Sequence, residues 1–74
     1  MKTYGKVMEY DGYNGIIKAI DGKDYLLMNS EAIDGDLKAN DNVSFEPDVF
    51  ETPEYKENVA RFVKRLVKTE KKSK

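Results

Sequence analysis

The chain has 74 residues, of which 39% are hydrophobic and 36% charged, and it contains neither cysteine nor histidine. That length supports one domain around one small core, with no disulfide or thiolate–metal site to reinforce it. Losing histidine removes the usual general base near neutral pH and the commonest transition-metal ligand. A non-enzymatic protein with no cofactor, no catalytic residues and no metal site is therefore expected.

The net charge of −1 hides a division along the chain. Residues 1–55 hold five lysines against twelve acids, and residues 56–74 hold eight lysines and arginines against Glu57 and Glu70. An acidic body disfavours polyanions, whereas the basic end, with Lys64, Arg65, Lys68, Lys71, Lys72 and Lys74, reads as a solvated tail able to touch phosphates. No stretch approaches membrane-spanning length, and the start of the chain lacks the continuous apolar segment of an export signal. A cytoplasmic location with no membrane partner is the expectation.

In chain order, Tyr4–Tyr10 alternates polar and apolar residues and predicts a first strand. Asp11-Gly12 marks a turn, and a second strand runs from about Asn14 to Ile20. Asp21-Gly22-Lys23 then favours a tight hairpin, because both Asp and Gly tolerate positive φ. Asp24–Asn29 is the third strand, and its apolar centre requires cover on both faces or leaves one as a binding face.

Ser30–Asn40 is a connection, with one short helical turn capped by Ser30 and anchored to the core by Ile33. Val43–Glu46 predicts a fourth strand that Pro47 ends, followed by a surface loop with Phe50 as an anchor. The last segment has two readings. Tyr55, Val59, Phe62, Val63, Leu66 and Val67 recur at helical spacing behind Thr52-Pro53, which resembles a helix start. As a strand, the same segment mixes apolar and charged groups on each face.

Gly5-Lys6-Val7, Gly15-Ile16-Ile17, Tyr25-Leu26-Leu27-Met28-Asn29, Ser30-Glu31-Ala32-Ile33, Val43-Ser44-Phe45-Glu46 and Glu57-Asn58-Val59 follow one another in an order that resembles the cold-shock domain family. The resemblance spans roughly residues 4–67. It implies a mostly-β fold, a small five-stranded OB-fold barrel over residues 1–68, and composition makes 69–74 a basic disordered tail. The resemblance also implies a fifth strand from near Lys56, against which the helical spacing keeps a C-terminal amphipathic helix replacing or extending that strand as the alternative.

Members of that family bind single-stranded nucleic acid by stacking bases on exposed aromatics. Here the corresponding positions hold Glu9, Asn14, Ile16, Leu26, Met28 and Asn29, which supply no aromatic face. The resemblance thus implies weak or divergent binding of single-stranded RNA or DNA, RNA slightly favoured, through Lys6, Tyr10, Tyr13, Ile16, Lys18, Leu26 and Met28. The alternative is a protein-protein interaction module on the same scaffold. Exposed tyrosines beside Lys6 and Lys18 would favour the first reading, and a contiguous apolar patch with an acidic rim the second.

Overall fold

Alternation decides the first three strands: β1 (Thr3–Tyr10), β2 (Asn14–Ala19) and β3 (Asp24–Met28). Val7, Ile17, Tyr25 and Leu27 point inward and are buried, while Lys6, Ile16 and Lys18 face out. The computed structural model of the chain describes residues 2–66, so the basic tail expected over 69–74 lies outside the described residues. Both expected turns form. Asp11 Oδ1 accepts the backbone N–H groups of Tyr13 and Asn14, each at 2.8 Å, and Asp21 Oδ1 accepts that of Lys23 at 2.8 Å.

After β3, the 3-10 turn Asn29–Glu31 starts without a side-chain cap. The connection that follows is fixed to the core by Leu37, which is buried, and not by Ile33, which is 61% exposed. β4 runs from Asn42 to Thr52 and so continues through Pro47. Proline is tolerated there because, beyond Phe45, β4 has no neighbour on the side facing away from β5.

β5 (Tyr55–Arg65) settles the ambiguous segment as a strand, which corrects the helical alternative. The helical spacing has a local cause. Ser44 pairs with Lys64 but Glu46 pairs with Arg61, so Phe62 and Val63 together oppose the single residue Phe45. This bulge inserts one residue and changes the phase of alternation, which places Ala60 and Val63, three apart, both in the core. Phe62 takes φ 53° and stays 58% exposed.

A side chain in that left-handed region costs about 1–2 kcal/mol relative to glycine. The part-buried ring returns about 1 kcal/mol of apolar contact. Phe62→Gly should therefore be neutral or stabilising by up to about 1 kcal/mol in urea unfolding. A loss beyond about 1 kcal/mol would contradict the strain assigned to this bulge.

The strands pair in the order β1-β2-β3-β5-β4, and the β1–β4 ladder returns the order to its start. The circuit is uneven. β3 and β5 meet in parallel at one residue pair, Leu26 with Val59, whereas β4 and β5 pair from Val43↔Arg65 to Thr52↔Tyr55. Because β1 accompanies β4 only as far as Phe45, the far halves of β4 and β5 run on as a two-stranded ribbon.

The strands accordingly do not ring evenly round one axis. An evenly closed barrel needs strands of matched tilt and stagger, and a one-pair seam beside a projecting ribbon departs from that. The finding corrects the expected small five-stranded OB-fold barrel, and with it the cold-shock identification that rested on one. What stands is a mostly-β domain with a five-stranded mixed sheet. Its core gathers Val7, Ile17, Tyr25, Leu27, Val43, Phe45 and Val63, with the Tyr25 and Phe45 ring centroids 5.0 Å apart.

Candidate interaction groove

The outward faces of β3 and β5 and the ribbon together build a groove. Period-two alternation that buries Tyr25 and Leu27 turns Leu26 and Met28 to the other face, where both are half-buried. Val59 lies beside Leu26 across the seam. It is only 3% exposed yet is not part of the main core cluster, so it is covered on the outer face. The groove encloses about 320 Å³ and is lined by Leu26, Met28, Phe50, Tyr55, Glu57, Val59 and Arg61.

The wall comes from the ribbon's end. Thr52 pairs with Tyr55 across the two-residue Pro53-Glu54 connection, which brings Phe50 and Tyr55 together with ring centroids 6.1 Å apart in an edge-to-face arrangement. Both rings stay about half exposed. The Tyr55 hydroxyl donates to Glu57 Oε1 at 2.7 Å. That bond, with some desolvation behind it, holds the phenol above its usual titration range.

Arginine charge near the groove is already engaged. Arg61 donates through Nε to Asp48 Oδ2 at 2.6 Å and through Nη1 to Glu31 Oε2 at 3.0 Å. Arg65, further along β5, donates to Asp36 Oδ1 at 2.7 Å and Asp41 Oδ2 at 3.2 Å, and its backbone N–H reaches Asp34 Oδ2 at 2.6 Å. These contacts tie β5 to the 3-10 turn and to the long connection. Residues 2–66 carry nine lysines and arginines against thirteen acids, a net of −4. Glu51, Glu54 and Glu57 stand around the ribbon's end with Lys56, which pairs in register with Glu51.

The arginine contacts have a pH consequence. The hydrogen bond from Arg65 lowers the Asp36 carboxyl below its ordinary value of 3.8, and that from Arg61 does the same for Asp48. A carboxyl that titrates lower in the folded chain contributes stability above the unfolded value, and the contribution disappears as pH falls through the folded one. Thermal unfolding should thus be nearly flat from neutral pH to about pH 5 and fall below about pH 4. Asp36→Asn with Asp48→Asn should flatten that decline, and an unchanged acid profile would show that the arginine contacts carry none of it.

Of the residues expected to bind nucleic acid, Lys6, Lys18, Ile16, Leu26 and Met28 share the outward face of β1, β2 and β3, and the two tyrosines lie apart from it. Leu26 and Met28 line the groove, and Ile16 sits beside Leu26 in register, 37% exposed. Lys6 and Lys18 pair across β1 and β2 and border a separate, more open cleft of about 810 Å³ with Tyr4, Ile20, Asn42 and Arg65. Lys18 also lies 3.6 Å from Asp24. Tyr13 is 70% exposed in the first turn, whereas Tyr10 packs against the core.

Phe50, Tyr55, Val59 and Arg61 were not among the expected site residues. A signal for the two aromatics exists in the sequence: they flank Pro53-Glu54, a connection short enough for a hairpin. Among the described residues, no group of three or more acids is placed to hold a metal ion, and no helix is long and apolar enough to cross a membrane. No protein-family model matches the chain, and no curated protein matches it.

Proposed function

We propose that the chain is a binding module for another protein, and that the groove between β3 and the β4–β5 ribbon is where the partner docks. The observation that carries this reading is an apolar floor of Leu26, Met28 and Val59 beside a half-exposed aromatic pair. Aromatic and aliphatic anchors in a concave site contribute most of the affinity in protein interfaces. With Arg61 bonded to two carboxylates and glutamates around the rim, the same site repels phosphate and favours a basic, apolar segment.

Selection of a displayed random-peptide library on the intact chain tests this. Enriched peptides should combine apolar and basic residues, and Leu26→Glu or Met28→Glu should weaken them by at least about tenfold. Retention of the selected peptides by both variants would overturn the docking site. Weak single-stranded nucleic-acid binding through Lys6, Lys18 and Tyr13 is the rival reading. Salt-sensitive binding of an oligonucleotide that Lys6→Glu abolishes, with no groove-dependent peptide, would replace the proposal.

A further inference from the structure

We infer that the segment docking in the groove is an extended basic-apolar stretch of the partner that adds as a strand along the open edge of β5; this rests on the docking reading above. β5 has β4 on one side along nearly its whole length. On its other side, β3 meets it at Val59 and Ala32 at Val63. Over Tyr55–Asn58, the side of β5 that faces the groove has no strand partner among the described residues.

An unpaired edge offers a row of backbone N–H and C=O groups to an incoming strand. The opposite edge of the ribbon, on β4, is blunted around Pro47. Pro47, opposite Ala60, supplies no N–H there and is flanked by Glu46 and Asp48, whereas Glu51 is the one charged residue of Val49–Thr52, the stretch that pairs with Tyr55–Asn58. Tyr55–Asn58 contains no proline and opens onto the apolar floor. At the ribbon's end both edges carry charge, Glu51 on β4 and Lys56 with Glu57 on β5, and what sets the β5 edge apart is that it lies beside the apolar floor.

The occupant's chemistry follows from the walls. In an extended chain, alternate side chains point to one face, so apolar residues two apart would lie over Leu26, Met28 and Val59. Glu57 in the groove, with Glu54 at the hairpin end, selects lysine or arginine between or beside them, while Glu51 pairs in register with Lys56 on the opposite face of the ribbon. A glutamate-bearing strand of the same apolar pattern is rejected by the same carboxylates.

The test uses a short peptide alternating valine and lysine, a counterpart with glutamate for lysine, and a series with one backbone nitrogen methylated at a time. Strand addition predicts that methylation at every second residue weakens binding by about tenfold or more, with little effect at the residues between. It also predicts slower amide exchange at Glu57 or Asn58 in the complex, and no binding of the glutamate peptide. A flat methylation series with binding still lost in Leu26→Glu would overturn strand addition while leaving docking intact. Binding indifferent to Leu26→Glu would instead remove the docking site itself. A chain already dimeric by sedimentation, with Tyr55–Asn58 amides protected before peptide is added, would assign the edge to a second copy and overturn the inference.

Discussion

A chain carrying Gly15→Ala is expected to lose a large part of its stability, about 3 kcal/mol or more, from a total of roughly 4–11 kcal/mol for a domain of this size. The cause is backbone, not side chain. In β1, Val7 pairs with Ile17 and Glu9 with Ile16, so Met8 is an extra residue, and just beyond this bulge Glu9 and Tyr10 lie close over Gly15. A Cβ on Gly15 would overlap the Glu9 carbonyl oxygen and stand 2.8 Å from the Tyr10 Cα. Neither can swing aside as the tip of a side chain would, so the end of β1 must shift. Gly35→Ala is the control, because a Cβ there meets nothing within 4 Å and its backbone is ordinary. Urea unfolding of the two variants should differ by several-fold in ΔΔG, and equal effects would refute the close approach at the bulge.

Phe45→Ala is expected to cost about 3–5 kcal/mol, the range for deleting a fully buried phenylalanine. Phe45 is completely buried and lies 5.0 Å, centroid to centroid, from Tyr25. It also faces the β5 bulge, where Phe62 and Val63 together oppose it. Losing the ring therefore opens a cavity where β3, β4 and β5 converge. Little else in so small a core can collapse into it. The variant should show a broadened or absent thermal transition by near-UV circular dichroism, with Phe45→Leu intermediate. A transition within about 1 kcal/mol of the parent would mean that the centre of the core lies elsewhere.

Much of the first half of the fold was legible in the sequence. Alternation in Tyr4–Tyr10 and Asn14–Ile20 and the two Asp-Gly turns are local signals, and the structure keeps them within a residue or two. The second half was obscured by two irregularities. Pro47 reads as a stop, yet an edge position lets β4 continue to Thr52. In β5, the extra residue at Phe62 gives a strand the three-residue spacing of a helix. Ile33 and Leu37 are a third case, since a connection without period offers no rule for which apolar residue turns inward.

The groove divides the same way. Leu26 and Met28 were readable as the outward half of an alternating strand. Phe50 and Tyr55 had only the short Pro53-Glu54 connection as a signal, because their meeting depends on β4 and β5 pairing across it. The charge around the groove was also hidden. The basic residues 56–74 stand out in the sequence, but Arg61 and Arg65 fold back onto Asp48, Glu31, Asp36 and Asp41. Two of the cations that look available for phosphate along the chain are thus neutralised across the fold, and those contacts are long-range.

The central claim, that a protein segment docks on the β3–β5 groove, is tested most directly by titrating the isotope-labelled chain and mapping backbone chemical shifts. The alternating valine–lysine peptide and a single-stranded oligonucleotide are added separately, each at low and at high salt. Docking predicts that the peptide moves resonances of Leu26, Met28, Phe50, Tyr55 and Val59 at both salt concentrations, because apolar burial persists when charges are screened. It predicts that the oligonucleotide leaves those resonances in place. Shifts at Lys6, Tyr13 and Lys18 with oligonucleotide, and none in the groove with peptide, would contradict it.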